Sequence, residues 1–285
     1  MIIGVIGANG QLGTDVCAAF NKNGDQVIEL NHDKVEITDI DVVSSVLKSL
    51  KPNIVVNTAA YHHVEKCEAE PEKAFSVNAL GARNLAMLSR DLGFFIIHIS
   101  TDYVFDGNKE EPYLEEDMPS PLNIYANTKL SGELFVQAIA EKFLIMRSSG
   151  LYGKSPCRAK GYNFVDIMLK LAKERDEVRV VDNEVLTPTP TAELAKQIVK
   201  VSRDECYGLS HATAEGSCSW YDFAKEIFKI KKINTPLNIA GPDEFPIKVA
   251  RPSYSVLENG FLKKQGRNVF GNWEEGLKDY LKAGS

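Results

Sequence analysis

Apolar positions in the first 150 residues fall into two alternating rhythms. Short runs that are nearly continuous in hydrophobicity, IIGVIG (2–7), QVIEL (26–30), NIVVNTA (53–59), FFIIHIS (94–100) and FLIMRS (143–148), read as strands of a parallel sheet covered on both faces. Between them, QLGTDVCAAFNKNG (11–24), DIDVVSSVLKSLKP (39–52), PEKAFSVNALGARNLAMLSRDLG (71–93) and YANTKLSGELFVQAIAEK (125–142) place apolar residues at helical spacing. Gly24 and Gly93 stand where helix ends are expected. Strand and helix in strict alternation predict an α/β fold, a Rossmann-type doubly wound parallel sheet.

After residue 150 the rhythm loosens. GLYGKSPCRAKGYN (150–163) is Gly-rich and basic and reads as a loop. A helix (163–174), a short strand (178–182) and a helix (191–202) follow, with the stretch at 176–204 read as rejoining the sheet. From Cys206 come smaller α/β pieces, WYDFAKEIF (220–228), ARPSYSVL (250–257) and a terminal helix, NWEEGLKDYL (272–281). No internal repeat or low-complexity linker separates the parts. Residues 1–150, completed by 176–204, are expected to form a dinucleotide-binding domain, with 151–175 and 205–285 as a smaller interleaved substrate-binding part.

Composition excludes several classes. The 33 Lys and Arg against 39 Asp and Glu give a net charge of −6, and no basic run argues for nucleic acid or an anionic membrane as partner. No stretch approaches the ~18 apolar residues of a membrane span. The amino terminus enters an apolar strand without a basic n-region, so no signal peptide is expected. Five cysteines, Cys17, Cys67, Cys157, Cys206 and Cys218, include no C-x-x-C pair and read as free thiols in a reducing cytoplasm. The adjacent His62 and His63 lack the spacing of a zinc site.

The chemistry begins at GANGQLG, where Gly7, Gly10 and Gly13 join the first strand to the first helix. Glycine there permits a tight turn, close approach of N–H groups to a pyrophosphate, and packing of helix on strand. Further on, Tyr125 and Lys129 are four apart and share a helix face. Alone, such a pair reads more readily as two surface residues. The G-x-x-G-x-x-G spacing, however, is the one usual in the extended short-chain dehydrogenase/reductases. A Tyr-x-x-x-Lys pair after the fourth strand, with hydroxyls Ser100 and Thr101 ending that strand, resembles their catalytic arrangement. Ketone reduction needs hydride at carbon and a proton at oxygen. Free tyrosine is a sluggish acid–base near neutrality, and an adjacent ammonium is expected to bring its pKa towards the working range. Thr101 is expected to orient the carbonyl and stabilise developing charge on its oxygen.

The resemblance narrows further. GANGQLG, NTAAYHHVEKCEAEPEKAFSVNALGARNLA, STDYVFDG, EPYLEEDMPSPLNIYANTKLSGE, NFVDIMLKLA, GSCSWYDFAKEIF and ARPSYSVL together resemble the dTDP-4-dehydrorhamnose reductase family from first strand to last helix. That family reduces the 4-keto group of a dTDP-6-deoxy-L-lyxo-hexulose with NADPH or NADH. The resemblance implies cofactor contacts at Gly7, Gly10, Gln11, Leu12, Gly13, Ala59, Ala60, Tyr61, Tyr125 and Lys129, and substrate contacts at His62, Val64, Thr101, Asp102 and Tyr103. Asp102 also suits a turn, and His62 also reads as an ordinary loop residue.

Departures from the pattern carry information. Gly150 stands where the family has a tryptophan against the nucleotide-sugar, a loss of about 1.5–3 kcal/mol of apolar burial unless another group fills the space. Ala126 replaces a commoner glycine, a mild change on a helix. At the ribose-reading position after the second strand stands Asn31 rather than a carboxylate, which favours NADPH over NADH. Glu36 and Ile37 occupy the adenine side. Some members bind Mg²⁺ through acids that match Asp15, Glu193 and Glu274, although solvated acids are the plainer reading, as they are for EEPYLEEDMPSP (110–121). The expected protein is thus a reductase of a nucleotide-activated deoxysugar acting as monomer or homodimer. Two alternatives are a reductase or epimerase-like enzyme for another nucleotide sugar, and a dinucleotide-binding regulatory subunit similar to the beta subunit of methionine adenosyltransferase.

Overall fold

Both faces of a six-stranded parallel sheet carry helices, which is why its strands have no polar alternation. The computed structural model describes all residues except 157–160, 205, 242–243, 245–248 and 284–285, so Cys157 and the centre of the basic loop lie outside the described residues. The first half runs β1 (Ile2–Ile6), α1 (Gln11–Lys22), β2 (Gln26–Leu30), α2 (Ile40–Leu50), β3 (Ile54–Asn57), α3 (Val64–Ala69), α4 (Pro71–Phe75), α5 (Gly81–Leu92), β4 (Phe95–Thr101), α6 (Ile124–Ile139) and β5 (Phe143–Ser148). The second half adds β6 (Leu151–Tyr152), α7 (Phe164–Glu174), β7 (Val178–Val180), β8 (Val185–Leu186), β9 (Thr189–Pro190), α8 (Thr191–Arg203), β10 (Gly208–His211), β11 (Cys218–Ser219), α9 (Trp220–Lys231), β12 (Leu237–Ile239), α10 (Gly260–Lys264) and α11 (Trp273–Ala283).

The sheet order is β10-β5-β4-β3-β1-β2, with Ile3 opposite Ile54 and Ile96 opposite Phe143. Alternate strand residues divide between two cores. Val5, Val56, Ile97 and Met146 pack against Val16 and Phe20 of α1 and Leu194 and Ile198 of α8, whereas Val55, Ile96 and Ile145 meet Leu47, Leu85 and Val136 of α2, α5 and α6. Strand order reverses beside β1 and β3, so their outgoing chains part and leave a crevice at the carboxyl edge. A separate core of Tyr152, Phe223, Ile227, Trp273 and Leu277 holds α7, α9 and α11 together.

Two expectations are corrected. The strand expected at 178–182 does not rejoin the central sheet: β7 pairs with β12, and the sixth strand is β10, a four-residue GLSH segment without a recognisable apolar run. Helix α8 does return to the sheet, against α1. The single helix expected over 71–93 is broken into α4, a π-helical turn at Ser76–Leu80, and α5. The wider turn accompanies a side chain, Asn78, that reaches back to the crevice. Gly24 and Gly93 both lie in the left-handed region at helix ends, as the sequence indicated. Among the described residues no helix is long and apolar enough to cross a membrane, and Cys17, Cys67, Cys206 and Cys218 are buried free thiols.

Candidate active site

The glycine turn is a backbone cradle. Gly7 lies at φ +74°, and a Cβ there would stand 2.9 Å from Thr58 Oγ1 and 3.0 Å from Ala59 N. On Gly13 a Cβ would fall 2.2 Å from the Gly7 carbonyl oxygen, so only glycine lets α1 seat against the turn. Gly10 caps α1 without a side-chain hydrogen bond, and no acidic residue occupies the first turn. The free N–H groups and positive helix end, together with the buried, unpartnered Gln11 Nε2, fit an anionic pyrophosphate.

The other expected cofactor positions surround this turn in different ways. Leu12 and Ile37 turn their side chains into the cores, which leaves their backbone to face a ligand. Asn31 Oδ1 accepts from Asn9 N at 2.9 Å, which fixes the residue expected to read the ribose against the glycine turn. Glu36 is held by Thr38 N at 3.1 Å and by His32 at 2.6 Å. After β3, Ala59 N donates to Asn57 Oδ1 at 3.2 Å, and Ala60 O lies 3.3 Å from His62 Nδ1. Asn78 grips Tyr61 through both backbone groups, at 2.8 and 2.9 Å, and donates to Thr128 Oγ1 of α6 at 2.9 Å. The Tyr61 phenol points away, donating to Glu70 at 3.0 Å.

On the far side of the crevice Asn123 caps α6, accepting from Ala126 N at 2.9 Å, and donates to Ala250 O at 2.9 Å. Tyr125 occupies the first turn so capped, with Lys129 one turn later. The Tyr125 hydroxyl faces the side chain of Thr101 at the end of β4, and the Tyr103 ring stands edge-on at 6.0 Å. Lys129 is 2% exposed and donates to Ile99 O at 2.6 Å. Burial pushes the Tyr125 phenol above its usual range, opposed by the Thr101 side chain. Burial also brings Lys129 down to about 8, opposed by the Glu133 carboxylate. Here the Lys129 ammonium rests on the Ile99 carbonyl and the Thr101 hydroxyl donates to Asp102.

Among the expected substrate positions, Asp102 is 4% exposed. Its oxygens accept from Thr101 at 3.0 Å, Ser149 at 2.7 Å and Ser255 at 2.6 Å. Burial holds this carboxyl above its ordinary range while the three hydroxyls oppose the shift. Asp102 thus anchors Thr101 and is not itself open to a ligand. Val64 opens α3 next to His63, whose ring is 3.1 Å from Glu65, and Glu65 accepts from Arg251 at 2.6 Å. Gly150 leaves no gap: at φ +55° a Cβ would meet Leu186 Cδ1 at 2.8 Å and Pro188 Cα at 3.0 Å. The space expected for a large side chain is closed by residues 186–188.

Mg²⁺ gains no site. No group of three His, Cys, Asp or Glu among the described residues could hold a metal, and Asp15 accepts from Thr191 at 2.5 Å. An open hollow of about 790 Å³ lies elsewhere, at the amino-terminal edge of the strands beside Met1, Lys48, Asn53 and Lys142, far from the Thr101–Tyr125 pair. Sequence reasoning missed Asn78, Ser149, Ser255, Arg251, Glu133 and Arg147. All six lie in or beside quoted segments, but the partners that give them their roles are remote in sequence, so spacing gave no signal.

A parallel sheet with a glycine cradle at its reversal point and a Thr–Tyr–Lys cluster at the same edge defines an oxidoreductase of the short-chain dehydrogenase/reductase class. More narrowly, residues 1–285 match the family model described as the RmlD substrate binding domain, and the chain belongs to that family. It is 37% identical over 277 residues to the spore coat polysaccharide biosynthesis protein SpsK of Bacillus subtilis (strain 168), covering 97% of this chain and 95% of that one. Among solved structures, dTDP-4-dehydrorhamnose reductase of Clostridium acetobutylicum superposes with TM-score 0.94 at 41% identity, covering 99% of both chains. The Bacillus anthracis dTDP-4-dehydrorhamnose reductase in complex with NADP gives TM-score 0.94 at 37% identity, again over 99% of both.

Proposed function

We infer that this protein reduces the 4-keto group of dTDP-4-dehydro-6-deoxy-L-mannose, giving dTDP-L-rhamnose, with NAD(P)H as reductant. One observation carries this reading: the Thr101–Tyr125–Lys129 cluster sits beside a glycine cradle in a chain that matches dTDP-4-dehydrorhamnose reductases along its whole length.

Gly7, Gly10, Gln11 and Gly13 receive the dinucleotide pyrophosphate, the backbone of Leu12, Ile37 and Ala59 to Tyr61 lines its path, and Asn31 and Glu36 flank the adenosine. When bound in this cradle, a reduced nicotinamide would supply the hydride that C4 needs. Thr101, turning its hydroxyl from Asp102 to the incoming substrate, would hold the carbonyl oxygen, and Tyr125 would give that oxygen its proton. The raised phenol pKa suits this direction, since Tyr125 enters the step as a neutral acid and the alkoxide it protonates is the stronger base. The phenolate left behind regains its proton from solvent, with Lys129 one helical turn away as the nearest cation on α6. Lys129 also reaches the nicotinamide ribose. His62, Val64 and Tyr103 line the sugar-nucleotide side, with the wall at Gly150 closed by Leu186.

Neutral Asn31 supports NADPH as the preferred reductant, because no carboxylate there repels a 2′-phosphate. Residues 1–150 with the returning stretch to 204 serve the dinucleotide, and 151–175 with 205–285 serve the sugar nucleotide. The enzyme works in the cytoplasm as monomer or homodimer. A second reading, reduction of a different dTDP-deoxysugar, is favoured by one feature, the closed wall at Gly150. The test supplies purified protein with the L-lyxo 4-keto sugar nucleotide or with dTDP-4-dehydro-6-deoxy-D-glucose, and follows loss of NADPH and of NADH. Fast oxidation of NADPH with the first substrate is expected. Turnover confined to the second would replace the sugar assignment, and tight dinucleotide binding without turnover would turn attention to a regulatory role.

A further inference from the structure

Beneath Lys129 lies a charged cluster that the reaction as described does not use. Glu133 follows Lys129 by one turn of α6 and is 1% exposed. Arg147 of β5, 2% exposed, donates to it from Nε at 3.0 and 3.1 Å and from Nη2 at 2.6 Å, and Ser100 of β4 donates to it at 2.5 Å. Ser100 is next in the chain to Ile99, whose carbonyl holds the Lys129 ammonium. The Arg147 guanidinium lies 5.1 Å over the Phe105 ring, and its Nη1 is buried without a partner.

A buried Arg–Glu pair is weak as a stability device, because desolvation offsets most of the attraction. Its placement gives it another use. Two cations, Lys129 and Arg147, share one anion, and that anion is locked by four hydrogen bonds. We propose that Glu133 is a positioning residue for the reductase, a fixed countercharge that keeps Lys129 protonated and aimed at the catalytic edge. The proposal rests on the reductase reading for the role of Lys129, and on the placement of Glu133 one turn further along α6 with both residues buried.

The surroundings leave Glu133 as the anion available for this task. On α6 Tyr125 stands one turn before Lys129 and Glu133 one turn after it, and the buried Asp102 carboxylate, which acts on Tyr125, is occupied by the hydroxyls of Thr101, Ser149 and Ser255. From β4 comes His98, buried, bonded to Asn57 at 3.1 Å and kept neutral by burial and by Lys129 itself. From β5 comes Arg147, with His211 of β10 behind it, likewise neutral. Removing the carboxylate would leave two buried cations facing neutral groups. The more weakly held proton, that of Lys129, would then be lost first.

The sign follows. An ammonium required for cofactor binding makes affinity fall as pH rises through the Lys129 pKa, which burial places at about 8. Loss of Glu133 moves that fall to lower pH. Loss of Arg147 moves it higher, because a competing cation is gone. A merely structural role cannot give opposite displacements in the two variants.

The test measures NADPH dissociation constants against pH by nucleotide fluorescence on the full chain, beside kcat/KM for the sugar nucleotide. In the wild type, affinity is expected to weaken above pH ~8, by at most about tenfold per pH unit. Glu133→Gln should displace this limb by about one pH unit downward or more, with affinity restored at low pH, and Arg147→Gln should displace it upward. Glu133→Asp keeps the charge but withdraws it by one methylene, so it gives a smaller downward shift and serves where the glutamine variant does not fold. A limb that stays in place in the folded variants, or affinity flat to high pH in the wild type, would overturn the proposal. Failure of the reductase reading would look different: normal pH-dependent NADPH binding with no reduction of the sugar.

Discussion

The two walls of the crevice are built on different principles. The wall proposed for the cofactor is main chain: Gly7, Gly10 and Gly13 form one short turn, and their contribution is the absence of side chains. The wall proposed for the sugar is side chain, assembled from segments far apart. Asp102 collects hydroxyls from Ser149 and Ser255, 47 and 153 residues away, Asn123 holds Ala250 from 127 residues away, and Glu65 meets Arg251 across 186. A backbone wall is complete once β1, β3 and α1 pack. The side-chain wall exists only when the last third of the chain has closed over the first, and there single substitutions can retune specificity without disturbing the dinucleotide.

The contrast can be broken in order of expected effect. Tyr125→Phe removes the proton donor and should lower kcat by about 10²–10⁴ while dinucleotide affinity stays near that of the wild type, measured by steady-state turnover and fluorescence titration. Gly13→Ala strikes the other wall. Its methyl collides with the Gly7 carbonyl, so dinucleotide binding should weaken by about a hundredfold, the equivalent of ~3 kcal/mol of overpacking. Ser255→Ala withdraws one hydroxyl from the Asp102 carboxylate and loosens Thr101. A loss of about 1.5 kcal/mol, or roughly tenfold in kcat/KM for the sugar with NADPH affinity unchanged, is expected. If Ser255→Ala instead weakened NADPH as much as the sugar, the two walls would not be independent. The smallest effect belongs to Asn31→Asp, which places a carboxylate at the ribose and should shift preference several-fold towards NADH, about 1 kcal/mol at a solvated site.

The same contrast governs what could be read from the chain. Gly7, Gly10 and Gly13 are legible because their spacing is itself the mechanism, and Tyr125 with Lys129 because one helical turn relates them. The five strands of the first half declare themselves through continuous hydrophobicity. Strand β10 does not, since GLSH at a sheet edge carries too little apolar signal, and β7 drew a wrong partner because pairing between distant short strands has no local trace. The π turn that aims Asn78 is equally silent in sequence. Gly150 shows the limit most clearly: its type was noticed, but its consequence depended on Leu186 and Pro188 occupying the space beside it. Asp102 was expected to meet substrate, and only the fold shows both its oxygens engaged by hydroxyls.

The central claim is that this crevice passes a hydride to C4 of a sugar nucleotide and a proton to its oxygen. The most direct measurement is transfer of label from NADPH deuterated at the nicotinamide C4, on the transferring face, to the dTDP-linked 4-keto-6-deoxy sugar, read by mass spectrometry and NMR of the product. One deuterium at sugar C4, with stoichiometric oxidation of the dinucleotide and none in Tyr125→Phe under the same brief exposure, is the predicted result. Absence of label, or label that returns to the dinucleotide without net reduction, would contradict it.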